Sequence, residues 1–418
     1  MNSIGFENLE LLFSRSRPRF YFAVTNREPM RSFFQKHIDP EKLLVVNGES
    51  EDEKIIEEES FIQMAKEAGS FWLYTHSSPK IETWSHKYSI PLISPSYELQ
   101  QKLEDKIFFE TFAKENNLPT PPGRILKTME EAMEWTEFPA VLQRPRSHGG
   151  QGTFYVESRE QWEEKIRANA NGFPLLVRRY MEGISLGVTL LITTNEVIFS
   201  ALREQMMFIK EDALNKYLGI QWIKTNQIGE GGIQKIEAML IKIVKALRGL
   251  NYRGSIGIDF IWDGTKPYLI ECNPRLTLSS MQLSQKPSLI HDLNFCEEVL
   301  SAFSKNTLSK NHPIVPRTEF EGATVDLDYF GEPYYGKQLK TSIPIGVYKL
   351  AQKKLSPCMD YRLDSFGENE VFIYSAFSPD ETVNINTKMG VAMSDYPIKE
   401  NPYMVDALKN IFKKLHTF

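Results

Sequence analysis

Gly254-Ser-Ile-Gly-Ile-Asp-Phe-Ile-Trp-Asp-Gly-Thr-Lys-Pro-Tyr-Leu-Ile-Glu-Cys-Asn-Pro-Arg275 consists of two apolar runs joined by Asp263-Gly264. An Asp-Gly pair between apolar runs is a tight-turn signal, so the stretch reads as a β-hairpin. Side chains alternate faces along a strand, and Glu271 and Asn273, two residues apart, share a face. Asp259 stands on the partner strand and lies beside them if the register pairs the strands around the turn. Two carboxylates and an amide oxygen then converge on one point. Such hard oxygen donors suit Mg²⁺, which completes its shell with waters and phosphate oxygens; Mn²⁺ is an admissible substitute. Arg275 follows as a fixed cation, suited to negative charge on a transferring phosphoryl group or an acyl intermediate. A Glu-x-Asn pair alone is usually a solvated strand end. The Asp, the turn and the Asn-Pro-Arg ending together favour the metal.

Upstream, a strand over Ala140 to Gln143 leads into Ser147-His148-Gly149-Gly150-Gln151-Gly152 and then a second strand. Glycines let backbone N–H groups come close to phosphates. Alone, such a loop is a plain turn more often than a phosphate cradle, and His148 reads as a loop polar residue rather than a catalyst. Pro174 to Gly183 leads into an apolar strand, Leu186 to Thr193. An extended backbone there suits an adenine ring and, equally, an ordinary core strand.

Nearer the N-terminus, Arg19–Thr25, Leu43–Val46, Phe71–Thr75 and Ile90–Ile93 read as strands, separated by helix-prone stretches such as Asp52–Ala68. This alternation predicts a small parallel α/β sheet. Residues 1–18 read as a helical or ordered tail. The first strand is followed by Asn26-Arg27-Glu28-Pro29, so the glycine fingerprint of dinucleotide binding is missing there. Ser94–Asn117 reads as one helix, ended by the extended Leu118-Pro119-Thr120-Pro121-Pro122-Gly123. A helix is expected near Ile233–Leu250, a linker over Ser304–Arg317, strands at Ala323–Phe330 and Val371–Phe377, and a closing amphipathic helix near Tyr403–His416.

A chain of 418 residues is too long for one core. Its net charge of −5 does not favour a broad nucleic-acid surface. The three cysteines, Cys272, Cys296 and Cys358, show no CxxC spacing, which argues against a disulfide framework or a thiolate metal site. Reduced thiols fit a cytoplasmic protein, the expected location. No secretory h-region is visible, and no run approaches the roughly 18 apolar residues of a membrane span.

In order and spacing these segments resemble the ATP-grasp superfamily, in particular its carboxylate–amine (L-amino acid) ligases and relatives of biotin carboxylase. The resemblance runs from about Leu92 to Pro287. It rests on Asp105-Lys106, the Pro-rich link, the Gly-Gly-x-Gly loop, the segment Val177–Tyr180 and the hairpin ending Glu-Cys-Asn-Pro-Arg. It implies an α/β and α+β multidomain fold: a pre-ATP-grasp α/β domain at 1–104, an ATP-grasp domain at 105–303 split near 175, and a C-terminal domain of no assigned family at 304–418. Carried over residue by residue, Lys106 contacts ATP, and Gly149, Gly150 and Gly152 form the loop over its phosphates. Val177, Arg178, Arg179 and Tyr180 lend backbone groups to adenine. Asp259, Glu271 and Asn273 bind the metal, and Arg275 stabilises the acyl-phosphate step.

Some positions depart from the family. A second lysine, expected on the strand before the loop, is replaced by Gln143, with Arg146 a candidate substitute. Near the hinge stand Arg178, Arg179 and Ser185, and of the expected acids only Glu182. The segment after Asn-Pro-Arg is Leu276-Thr-Leu-Ser-Ser280 rather than glycine-rich. The activity implied is amide or peptide bond formation between a small-molecule carboxylate and an amine, with ATP and Mg²⁺. No nucleic acid or membrane partner is implied, and a homodimer is admitted. A non-catalytic ATP-binding protein, for which Gln143 argues, and a carboxylase-type relative remain as alternatives.

Overall fold

The computed structural model describes residues 20–25, 43–48, 71–73, 77–90, 92–146, 152–209, 215–341, 343–358, 365–375, 382–384, 387 and 389–415, with scattered positions between 57 and 66. The tail expected at 1–18 and most of the helical stretch expected at 52–68 lie outside the described residues.

The apolar runs of the N-terminal region form β1 (Phe20–Thr25), β2 (Leu43–Gly48), β3 (Phe71–Leu73) and β4 (Leu92–Ile93). They pair in parallel in the order β2-β1-β3-β4. Helix α1 (Pro79–Tyr88) precedes β4, with Ser78 accepting at its N-terminus and proline in its first turn.

The single helix expected over 94–117 is two helices, α2 (Tyr97–Glu104) and α3 (Lys106–Glu115). Asp105 leaves the helical region at φ −75°, ψ 114°, and its carboxylate accepts from Ile107 N and Phe108 N at 2.9 and 3.1 Å. An N-cap of this kind satisfies backbone donors that a new helix would otherwise leave open. It also sets Lys106 at the first position of α3.

A second sheet, ordered β5-β8-β6-β7, is antiparallel. Its strands are β5 (Gly123–Leu126), β6 (Ala140–Gln143), β7 (Thr153–Val156) and β8 (Leu175–Arg179). Helices α4 (Met129–Met133) and α5 (Arg159–Ala168) contribute Ala132, Trp162 and Ile166 to a core with Leu126, Leu142, Val156 and Val177.

The third sheet has 11 strands. It comprises β9 (Ile184–Ile192), β10 (Val197–Phe199), β11 (Arg203–Ile209), β12 (Asn215–Trp222), β13 (Gly254–Trp262), β14 (Pro267–Asn273), β15 (Ala323–Asp326), β16 (Gly346–Ala351), β17 (Lys354–Pro357), β18 (Glu370–Ser375) and β19 (Gly390–Ser394). The order is β14-β13-β9-β11-β12-β15-β19-β18-β16-β17, with β10 on β9. On one face lies α6 (Glu230–Gly249), whose Ile233, Ile236, Leu240, Ile243 and Leu247 recur at helical spacing and pack with Val188, Leu190, Ile258 and Phe260. Each such buried side chain contributes about 1.5–3 kcal/mol. On the opposite face α7 (Ser279–Gln285) and α8 (Phe295–Ser304) pack with Ile220, Trp222, Phe372 and Met393. The short α9 (Asp328–Gly331) follows β15, and α10 (Pro402–Ile411) buries Met404 and Leu408 against Val325 and Ile373.

The stretch read as a linker, Ser304–Arg317, is docked on the sheet. His312 N donates to Val197 O at 2.8 Å, and Val197 N donates to Asn311 Oδ1 at 2.9 Å. The chain then enters β15, which pairs with β12, so the C-terminal strands extend the sheet that carries the hairpin. Among the described residues no helix is long and apolar enough to cross a membrane.

Candidate functional site

The Asp-Gly hairpin is β13–β14. Trp262 opposes Pro267 and Phe260 opposes Leu269. At the turn, Gly264 adopts φ 90°, and Asp263 Oδ1 accepts from Thr265 N and Lys266 N at 2.7 and 2.8 Å. Had this register continued, Asp259 would have faced Ile270, and Glu271 and Asn273 would have pointed to the other face. It does not continue. A bulge at Ile270 shifts the pairing, so that Asp259 opposes Glu271 and Gly257 opposes Asn273. One extra residue in one strand reverses the faces beyond it. The bulge is thus what gathers the three oxygen-bearing side chains, and the hairpin spacing alone did not contain it.

In the gathered set, Asn273 Nδ2 donates to Asp259 Oδ2 at 2.9 Å. Asp259 is 5% exposed, and its Oδ1 is buried with no hydrogen-bond partner. Burial pushes the Asp259 carboxyl well above the carboxylate range; Arg203 opposes this and Glu271 adds to it. A buried carboxylate oxygen without a hydrogen bond is expensive, and the Arg203 guanidinium 3.8 Å away is too distant to supply one, so a cation bound here would relieve it. Among the described residues no group of three or more His, Cys, Asp and Glu side chains is placed to hold a metal ion by itself. The donor set is therefore two carboxylates and an amide, a hard-oxygen set of the kind Mg²⁺ takes.

Cations ring this set. Lys106 Nζ lies 3.1 Å from Glu271 Oε2 and is 4% exposed. Arg275 Nη2 donates to Asn273 Oδ1 at 3.3 Å, and its Nε donates to Glu104 Oε1 at 3.1 Å. Lys106 N donates to Pro145 O at 2.8 Å, which brings the start of the glycine loop beside α3. Arg146 stands there, 3.6 Å from Asp105 Oδ2. Gly149 and Gly150 lie outside the described residues. Gly152 is described at the loop's far end, where its carbonyl accepts from Arg144 N at 2.9 Å.

The remaining expected residues take on unforeseen tasks. Gln143 is buried, its Oε1 accepting from Arg178 Nη1 and its Nε2 donating to Thr153 Oγ1, both at 3.3 Å. Arg178 is 2% exposed. It donates to Glu110 Oε2 through Nη2 at 2.7 Å and to Ile270 O, at the bulge, at 3.0 Å. Its side chain therefore locks α3, β6, β8 and β14 together. The hinge backbone is partly engaged as well. Arg179 N donates to Pro122 O at 2.8 Å and Tyr180 N to Pro139 O at 3.0 Å, while Val177 pairs with Arg124 and Leu142. Glu110, Glu104 and Arg203 escaped the sequence reading. Glu110 stands one helical turn after Lys106, a spacing that signals a shared face. Arg203 has no local signal, since its place depends on strand order.

Residues 103–279 match the family described as the ATP-grasp domain. The carbamoyl phosphate synthase large chain of Thermomicrobium roseum is 26% identical over 202 residues, 47% of this chain and 18% of that protein. The chain thus spans less than a fifth of the length of that curated relative. In fold it is similar to the biotin carboxylase domain of Hydrogenobacter thermophilus 2-oxoglutarate carboxylase, with a TM-score of 0.61 at 14% identity, covering 95% of this chain and 94% of that one. It is also similar to N5-carboxyaminoimidazole ribonucleotide synthetase, with a TM-score of 0.61 at 12% identity over 95% and 97% of the two chains. The L-amino acid ligase of Bacillus licheniformis gives 0.55 at 11% identity over 96% and 98%. At these identities the likeness is one of fold.

Proposed function

Residues 103–279 are an ATP-grasp domain, and from that premise we propose that the chain is an ATP-dependent carboxylate–amine ligase acting on small, amino-acid-like substrates. One observation carries this: the Ile270 bulge brings Asp259, Glu271 and Asn273 onto one face, with Lys106 and Arg275 beside them. Asp259, Glu271 and, after a turn of its amide, Asn273 would hold Mg²⁺, which supplies neutralisation of phosphate charge. Lys106 binds phosphate oxygens, with Arg146 at the mouth of the glycine loop. The substrate carboxylate attacks the γ-phosphorus of ATP as the bond to the ADP oxygen breaks. Arg275 faces the acyl phosphate so formed. The amine nitrogen then bonds to the acyl carbon, phosphate leaves, and the amine loses a proton. Positioning and charge do the work, and no side-chain nucleophile is required.

Gln143 favours one competing reading, a protein that binds ATP without turnover, because its amide is engaged by Arg178 and Thr153. The two separate in one assay: Mg-ATP with a mixture of the twenty L-amino acids, followed by ADP release and product mass. The ligase reading expects ADP release and a product lighter by one water than its two parts. Bound ATP with no ADP release from any combination would sink it.

A further inference from the structure

A single row of residues crosses the floor of the site. Glu271 opposes Asp259, Asp259 opposes Gly187, and Gly187 opposes Arg203. Directly opposed residues share a sheet face, so Arg203 emerges on the face of the metal set, two strands from Asp259. Two glycines make room for it. A Cβ at Gly187 would stand 2.8 Å from Asp259 Oδ1 and 3.1 Å from Arg203 Cζ and Nε. A Cβ at Gly257 would stand 3.4 Å from Arg203 Nη2. The guanidinium therefore reaches across β9 to β13, over backbone stripped of side chains.

Arg203 is 3% exposed. A guanidinium has five N–H donors and keeps its charge. Among the described residues it donates one hydrogen bond, to Thr189 Oγ1 at 3.1 Å. Asp259 Oδ1, its carboxylate neighbour, is 3.8 Å from Nη2, too far for a hydrogen bond. The two cations beside the metal set are closed on carboxylates at 3.1 Å, Lys106 on Glu271 and Arg275 on Glu104. Of the three, Arg203 is the one whose donors most outnumber its acceptors.

We propose that Arg203 anchors the substrate carboxylate that is to be phosphorylated. The proposal rests on the ligase reading above and deepens it by assigning the acceptor a side chain. In the ligase reading ATP phosphates meet Lys106 at the hairpin side. Arg203 lies across the sheet from Lys106, with Asp259 between, so an anion it holds stands apart from one held by Lys106. Beside it on the same face Ser185 Oγ donates to Gln205 Oε1 at 2.8 Å, an uncharged polar pair suited to the rest of a small substrate. A guanidinium binds a carboxylate through two parallel hydrogen bonds, which fixes its oxygens in direction as well as place. Arg203 forms no covalent bond and passes no proton; it sets the attacking oxygen toward the γ-phosphorus.

The test compares wild type, Arg203→Lys and Arg203→Met by thermal unfolding, which rises with any ligand that binds the folded state. Mg-ADP is added first, then either the mixture of twenty L-amino acids or inorganic phosphate. The proposal expects Mg-ADP to raise the midpoint equally in wild type and Arg203→Lys. The amino-acid mixture raises the wild-type midpoint further, needs about tenfold more in Arg203→Lys, consistent with a lost bidentate contact, and does nothing in Arg203→Met. The phosphate response is the same in wild type and Arg203→Lys. An equal amino-acid response in wild type and both variants overturns the proposal, as does a wild type that responds to Mg-ADP but not to the mixture. A loss confined to phosphate also overturns it, placing Arg203 on the transferred group. A wild type without any Mg-ADP response overturns the ligase reading itself. Arg203→Lys keeps the test decisive should Arg203→Met fail to fold.

Discussion

Arg178 and Gln143 show how one residue's absence is absorbed by another. Where the family resemblance expects a lysine, Gln143 offers an amide, and the nearby positive charge comes from Arg178 on the neighbouring strand. That charge is closed on Glu110, which also receives Lys114 at 3.0 Å. Burial raises the Glu110 carboxyl, but Arg178 and Lys114 outweigh it and hold the carboxyl below its ordinary value of 4.5. Its stabilising contribution is therefore fully present above about pH 4.5 and is lost as pH falls through the lowered folded value. Glu110→Gln leaves Arg178 buried without its countercharge, and we expect a loss of about 3–5 kcal/mol at pH 7. Denaturant unfolding at pH 7 and in acid should show the gap to wild type narrowing as Glu110 protonates. Equal stability at pH 7 would show that Arg178 does not depend on this partner. None of this network was legible at the level of residue type, because it depends on which strands lie side by side.

At the level of elements, α2 acts as a clamp on the Asn-Pro-Arg end of the hairpin. Gln100, fully buried, donates through Nε2 to Pro274 O at 3.4 Å, and Glu104, one turn on, accepts from Arg275 Nε at 3.1 Å. Residues four apart on a helix face the same way, so one helix grips both backbone and side chain. Glu104→Ala should release Arg275 and lower kcat on the order of tenfold to a hundredfold with little change in the KM for ATP, as expected when a reacting group is misplaced. Steady-state kinetics would decide, and an unchanged kcat would refute the clamp. The hairpin itself was plain from Asp263-Gly264 between apolar runs. Its bulge was not, because Ile270 looks like any other strand residue and only the pairing reveals that it is extra. The break at Asp105 was missed for a similar reason: the apolar period continues across it, while the cap interrupts the backbone.

Over the whole molecule, strand–helix alternation was sufficient to anticipate the parallel N-terminal sheet, and the motif order to anticipate the match of residues 103–279 to the ATP-grasp domain. The C-terminal third was harder. Its strands join the hairpin's sheet through β15 on β12, a contact about a hundred residues apart in sequence that no local pattern encodes. The row Glu271, Asp259, Gly187 and Arg203 crosses one sheet face, the face on which the proposed phosphate and acceptor chemistry would lie. The proposed chemistry depends on a cation that the hairpin would hold. The most direct measurement is ATP affinity with and without Mg²⁺ for wild type and Glu271→Gln, by calorimetry. We predict that Mg²⁺ tightens ATP binding to the wild type and that Glu271→Gln, which removes a direct ligand, weakens this effect by at least about 10–100-fold, the loss seen when only an outer-shell partner of a ligand is removed. ATP affinity that ignores Mg²⁺, or a Glu271→Gln variant that responds to it as the wild type does, would contradict the account.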